Sequence, residues 1–182
     1  MNFLDSLKKI LFSPNKIDIS LLGLDNAGKT TFVNLLRLNE FSDPLRTMGL
    51  SIREVTKEGI HINIYDIGGQ ESFRNQLWDK LLENPVDCVL FVLDSSDSSR
   101  LPEVKDALSR VLEHENIVNE HKPILILANK QDISNALTPA EISAELRFVE
   151  ENRLVNHQII PTSMKTGQGV DHVLDYLVEM TM

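Results

Sequence analysis

The run Gly23-Leu24-Asp25-Asn26-Ala27-Gly28-Lys29-Thr30 has the spacing G-x-x-x-x-G-K-[ST], which suits a phosphate ligand. Glycines let successive backbone N–H groups face a phosphate at a helix N-terminus. Lys29 supplies a point charge to β and γ phosphates, and the Thr30 hydroxyl can ligate Mg²⁺. The bland alternative is a glycine turn with a solvated lysine. The flanks weigh against it: the apolar run Ile17 to Leu22 precedes the turn, and Thr31 to Leu38 follows with helical apolar spacing.

Three further segments carry matching chemistry. In Asp66-Ile67-Gly68-Gly69-Gln70, a carboxylate at a strand end can hold Mg²⁺ through water, Gly69 can offer its N–H to a γ-phosphate, and the neutral Gln70 can position an attacking water. Alone, Gly-Gly-Gln would read as a surface turn. In Asn129-Lys130-Gln131-Asp132, the Asp132 carboxylate can accept two hydrogen bonds from the N1–H and exocyclic amine of guanine, a pattern adenine does not present. Asn129 can tie this loop to the phosphate loop, and the Lys130 stem can cover the base. A polar loop with a helix-starting Asp is the competing reading. Thr162-Ser163-Met164-Lys165 can direct backbone N–H groups at the base carbonyl that adenine lacks. Thr47, one of several hydroxyls on its loop, is selected by lying nineteen residues before Asp66 across a hairpin, where it can add a hydroxyl to Mg²⁺ and an N–H to the γ-phosphate.

These segments require strands that end together. Leu50 to Thr56 and Ile60 to Tyr65 flank Lys57-Glu58-Gly59 and read as a hairpin. Val86 to Leu93 and Ile124 to Leu127 are nearly continuous apolar runs, the pattern of strands buried on both faces of a parallel sheet. Leu101, Val104, Leu108, Val111 and Leu112 recur at helical spacing. A capped helix starts at Thr138-Pro139-Ala140-Glu141, a last strand spans Gln158 to Pro161, and Val170, Val173, Leu174, Leu177 and Val178 stripe a final helix. The expectation is an α/β fold, a six-stranded mostly parallel sheet with one antiparallel hairpin strand and helices on both faces. Ligands of such sheets bind at the C-terminal strand ends, where all four segments fall.

A chain of 182 residues suits one domain with one sizeable core, and a formal charge of −9 gives no basic field for nucleic acid. Cys88, the single cysteine, lies in an apolar run and fits a reducing compartment. No apolar run approaches the roughly 18 to 20 residues of a membrane span. The five histidines show no zinc-ligand spacing. Asn2 and the terminal EMTM provide neither an N-myristoylation site nor a prenylation box, so any membrane attachment needs another device. Phe3, Leu4, Leu7, Ile10 and Leu11 form one apolar stripe of a helix. At this length the helix needs a surface, either the protein's own core or a bilayer.

GLDNAGKTT, YDIGGQ, NKQD and TSMKTG together resemble the Arf and Arf-like branch of small GTPases, in order and spacing from about Ile17 onward. The resemblance implies a P-loop small-GTPase fold at residues 15–182 behind an N-terminal amphipathic helix at 1–14. It implies a nucleotide-binding set of Asp25, Asn26, Ala27, Gly28, Lys29, Thr30, Thr31, Thr47, Gly69, Asn129, Lys130, Asp132, Ser163, Met164 and Lys165. Mg²⁺ ligands would be Thr30, Thr47 and, through water, Asp66; the catalytic groups would be Gln70, Lys29 and Thr47. The implied activity is a GTP/GDP switch that hydrolyses GTP slowly. A GAP, an exchange factor and effectors would act through residues 46–81, and residues 2–12 would make reversible membrane contact from the cytoplasm. The other readings weighed are a guanine-nucleotide-dependent binding module with negligible turnover, and a metabolic NTPase, which lacks room for a second substrate domain.

The chain departs from the family pattern in four ways: Asn2 where many Arf proteins carry glycine, Tyr65 in place of Trp with Leu50 in place of Phe, Arg46 in place of Pro, and a stretch from Gln70 to Trp78 that is one residue longer. Arg46 is read as a solvated loop charge in preference to a cis arginine finger. Phe73 and Trp78 are read as packing residues, with anchoring of a partner as the alternative.

Overall fold

The computed structural model describes residues 15–38, 41, 47, 49–146 and 156–182; the expected helix at 1–14 and Arg46 lie outside them. Two strands buried on both faces organise the rest. Every residue of β5 (Ile124–Asn129) is buried, and so is β4 (Cys88–Asp94) except for its last residue. Their side chains divide by parity: Cys88, Leu90, Val92, Leu125 and Leu127 enter one core, while Val89, Phe91, Leu93, Ile124, Ile126 and Ala128 enter another. Such strands require helices on both sides.

The sheet has the order β2-β3-β1-β4-β5-β6, with β1 at Asn15–Leu22, β2 at Leu50–Lys57, β3 at Ile60–Ile67 and β6 at His157–Pro161. Only β2 and β3 are antiparallel, as expected of the hairpin; the other neighbours are parallel. Helices α1 (Lys29–Leu38) and α6 (Val170–Glu179) cover the first core through Phe32, Val33 and Leu36, and through Val173, Leu174 and Leu177. The second core is covered by α2 (Glu71–Leu82), α3 (Leu101–Leu112), the short α4 (Glu115–Asn119) and α5 (Pro139–Glu145). α5 starts at the expected capping box, with Glu141 N–H donating to the Thr138 hydroxyl and the Thr138 N–H to the Glu141 carboxylate. Among the described residues no helix is long and apolar enough to cross a membrane.

Two differences from the sequence reading bear on the site. β3 runs on to Ile67 because Asp66 pairs with Leu21 on one side and Ser51 on the other, and β5 runs on to Asn129 opposite Asp94. Asp66 and Asn129 therefore project from strand ends, where the sheet fixes their Cα positions, and not from loops. The second difference is α2, which periodicity did not announce. Apart from Phe73 its apolar residues, Leu77, Trp78, Leu81 and Leu82, fall in its second half. Tertiary packing holds it in place.

Trp78 settles into that packing. It is 1 % exposed and meets Phe91 edge-on, with ring centroids 6.1 Å apart and an interplanar angle of 89°. It is thus a core residue and not a partner anchor. Trp78→Ala is expected to cost about 3 to 5 kcal/mol of stability, read as a lower urea midpoint by circular dichroism. A surface anchor would leave that midpoint unchanged.

Candidate nucleotide-binding site

The turn between β1 and α1 is built around close approaches. Asn26 (φ 60°) and Gly28 (φ 107°) both lie in the left-handed region, and a Cβ at Gly28 would sit 2.2 Å from Asn129 Nδ2. Only glycine lets this turn lie against the end of β5. Lys29 opens α1 with its side chain turned back into the loop, where Nζ donates to the carbonyls of Gly23 (2.9 Å) and Leu24 (2.7 Å). Burial pushes its ammonium down to about 8 against the pull of Asp66 and Asp25.

Three oxygen-bearing side chains meet beside it. The hydroxyls of Thr30 and Thr47 are 2.6 Å apart, and both donate to Asp66 Oδ2, at 3.0 and 3.5 Å. Asp66 is 2 % exposed, and its Oδ1 is buried with no hydrogen-bond partner. Burial pushes this carboxyl up, while Lys29 and the two threonines pull it down. Two hydroxyls and a carboxylate with an unsatisfied oxygen form a hard donor set that fits Mg²⁺.

The two segments that the sequence reading assigned to the base converge from β5 and β6. Asn129 Nδ2 donates to Ala27 O (2.7 Å), the tie to the phosphate loop that the sequence suggested, and Asn129 Oδ1 accepts from Met164 N (3.0 Å), so one amide joins three segments. Lys130 (φ 69°) directs its ammonium to the Asp94 carboxylate, which fixes the course of its stem. Asp132 lies on an exposed turn, yet its side chain is only 16 % exposed. Ser163 Oγ donates to its Oδ1 at 2.7 Å and Lys165 Nζ lies 3.7 Å from its Oδ2. The Ser163 bond, with help from Lys165, holds the Asp132 carboxyl below its ordinary range, ready to accept hydrogen bonds.

All of this surrounds one cavity of about 350 Å³. Asp25, Asn26, Gly28, Lys29, Thr30 and Thr31 line one end, and Thr47, Gly69 and Gln70 flank it. Asn129, Lys130, Asp132, Met164 and Lys165 line the other end. Ala27 and Ser163 are buried behind the wall, where they act through the Asn129 and Asp132 bonds, and Asp66 stands behind Thr30 and Thr47. Gly69 packs so closely that a Cβ would fall 2.2 Å from Asp25 N, which presses the turn between β3 and α2 against the phosphate loop. Gln70 is the N-cap residue of α2, and its side chain makes no capping bond.

Sequence reading missed two kinds of residue. Phe41 and Ile133 add exposed apolar surface to the cavity wall, and no periodicity or motif marks them. Arg100 was missed as well: it donates to Asp25 O at 3.0 Å and to Asp25 Oδ1 at 2.8 Å. The signal available was an Arg three residues before Glu103 at the start of α3, which more often marks only a helix surface pair.

The model of the ADP-ribosylation factor family matches residues 3–181 of the chain. Among curated relatives, ADP-ribosylation factor-like protein 2 of Arabidopsis thaliana is 35 % identical over 179 residues, covering 98 % of this chain and 95 % of the relative. ADP-ribosylation factor-like protein 5 of Caenorhabditis elegans is 36 % identical over 162 residues, covering 89 % of each. Among solved structures, the small GTPase Arl6 (BBS3) of Trypanosoma brucei, with bound GppNp, superposes with a TM-score of 0.81 at 31 % identity, covering 91 % of this chain and 97 % of its own. A cavity lined by the expected motifs, a family match over residues 3–181 and a shared fold agree: the chain belongs to the ADP-ribosylation factor family and is an Arf-like small GTPase.

Proposed function

We propose that this GTPase runs its hydrolysis with Gln70 positioning the water, Lys29 and the phosphate-loop N–H groups neutralising phosphate charge, and Asp132 selecting guanine. The observation that carries this reading is the convergence of Gln70, the Lys29, Thr30, Thr47 and Asp66 cluster, and Asp132 on one cavity. Thr30, Thr47 and, through water, Asp66 would hold Mg²⁺, which when bound offsets the charge developing on the phosphoryl oxygens. A water held by the Gln70 amide attacks the γ-phosphorus, the bond from that phosphorus to the β–γ bridging oxygen breaks, and GDP leaves with that oxygen while inorganic phosphate takes up the water. Lys29 exchanges its Gly23 and Leu24 carbonyl partners for phosphate oxygens.

Regulatory partners would act through residues 46–81. Leu50 (48 % exposed) and Ile52 (54 %) lie on β2, the edge strand of the described sheet, and form a small apolar patch suited to an effector. No arginine finger is evident in the described cavity wall, so a slow unaided rate that a GAP raises by ~10³ to 10⁵-fold is the expected behaviour. The protein would work from the cytoplasm with peripheral, reversible membrane contact through residues 2–12. The support is the stripe of Phe3, Leu4, Leu7, Ile10 and Leu11, each contributing roughly 1.5 to 3 kcal/mol on full burial.

Three outcomes follow. In competition binding, ATP should need a concentration ~10⁴-fold higher than GTP, and Asp132→Asn should narrow that gap; equal affinities for ATP and GTP would rule out the guanine reading. Gln70→Leu should bind GTP as tightly as the parent and hydrolyse it about 10²-fold more slowly, measured as single-turnover GDP formation. In liposome flotation, the chain loaded with a non-hydrolysable GTP analogue should float more than the GDP-loaded chain, and Leu4→Glu with Leu7→Glu should abolish the difference. Equal flotation in both states would remove the nucleotide gate.

A further inference from the structure

Lys29, Gln70 and Asp132 do not account for a chain of ionic side chains that runs along the flank of the cavity. Arg100, in the turn before α3, places Nη1 and Nη2 on the backbone carbonyl and carboxylate of Asp25, at 3.0 and 2.8 Å. The same guanidinium donates through Nε (2.9 Å) and Nη2 (2.8 Å) to Glu103 Oε2. The other oxygen of Glu103, Oε1, accepts from Arg74 Nη2 at 2.7 Å. Arg74 sits on the first turn of α2, four residues beyond Gln70, and its Nη1 is buried with no hydrogen-bond partner. Its side chain is 11 % exposed, against 30 % for Arg100 and 41 % for Glu103.

We propose that Arg100 is a positioning residue for GTP hydrolysis, its guanidinium linking the phosphate-loop Asp25 through Glu103 to Arg74, so that the start of α2 and Gln70 is held in register with the phosphate loop. The proposal rests on the assignment of Gln70 as the water-positioning residue. Three features support it. All three donor nitrogens of Arg100 are engaged in one planar fork, a geometry that a lysine ammonium does not reproduce. Glu103, despite desolvation that pushes it up, is brought below the ordinary carboxyl range by its bonds to Arg74 and Arg100, so it stays an acceptor for both. The charges of Arg74 and Arg100 both act on Lys29, which places the network near the phosphate-loop lysine. A second ion pair, Asp79 to Arg110 at 2.5 Å, also ties α2 to α3 but at the far end from the phosphate loop. It separates the two roles: helix docking without contact to Asp25.

The test uses the full chain with Mg²⁺ and measures single-turnover GTP hydrolysis, GTP affinity and thermal midpoint for Arg100→Gln, Arg74→Gln, the double variant, Arg100→Lys and Arg110→Gln. Arg100→Gln and Arg74→Gln should each slow hydrolysis about tenfold, equivalent to about 1.4 kcal/mol, with GTP affinity within about twofold of the parent. The double variant should be no slower than either single, because both cut the same chain. Arg100→Lys should not restore the rate, and Arg110→Gln should lower the midpoint while hydrolysing at the parent rate. Multiplying losses in the double variant, equal slowing by Arg110→Gln, full rescue by lysine, or a loss confined to GTP affinity would each overturn the proposal. Gln70→Leu run beside them separates the two assignments: if it slows hydrolysis and Arg100→Gln does not, the positioning role fails alone. If Gln70→Leu leaves the rate unchanged, the water-positioning assignment fails, and the register role fails with it.

Discussion

The geometry of the site depends on the amide of Asn129. Its nitrogen holds Ala27 O in the phosphate loop and its oxygen holds Met164 N beyond β6, and it stands at the end of a strand buried on both faces. A buried amide with both ends bonded resists displacement, because moving it would leave polar groups unpaired at about 1 to 3 kcal/mol each. The separation between the surfaces proposed to bind phosphate and to read the base is therefore set by the sheet. Gly28 is the complementary constraint, since any side chain there would occupy the position of the Asn129 nitrogen.

Around that fixed frame the site carries charge that its own groups only partly satisfy. Lys29 turns to two loop carbonyls, which offer dipoles where phosphates would offer full charges, and burial lowers its proton affinity. Asp66 keeps one oxygen without a partner. A cation and an anionic ligand relieve both conditions, so ligand binding contributes to the stability of the folded state in proportion to its affinity. Local consistency is broken at Lys29 and Asp66, as expected where binding rather than folding set the residue choice.

Legibility from sequence followed the source of each constraint. β4, β5 and α6 were readable because burial on both faces, or on one stripe, imposes a simple period on residues such as Cys88 to Leu93 and Val170 to Val178. Lys29, Thr30, Asn129 and Asp132 were readable because phosphate and guanine chemistry demand those types at those spacings. α2 was not readable, because Trp78 and Leu81 owe their burial to a partner face on β4 and α3. Arg100 was hidden for a related reason: its partner Asp25 lies 75 residues away in the chain, and nothing local distinguishes an Arg that reaches across the fold from one that faces water.

The same distribution explains how one phosphate can matter more than the rest of the nucleotide. Lys29 opens α1, Asn129 ends β5 and Asp132 lies in the turn just after it, positions tied to the buried strands, and they serve GDP and GTP alike in the proposed reading. Thr47, Gly69 and Gln70, the groups proposed to meet the γ-phosphate or its attacking water, flank the β2–β3 hairpin instead. The hairpin is closed at its base by Gly68 N donating to Gly49 O at 3.0 Å. A γ-phosphate gripped from both sides acts on one mechanical unit, at the edge of the sheet, that packs against β1 alone among the strands. A ligand shifts a conformational equilibrium only by its differential affinity, so each tenfold preference created at Thr47 or Gly69 delivers about 1.4 kcal/mol to that hairpin. Placing the γ-phosphate contacts on the edge hairpin, and the shared contacts on the buried strands, lets affinity and switching be set by different residues.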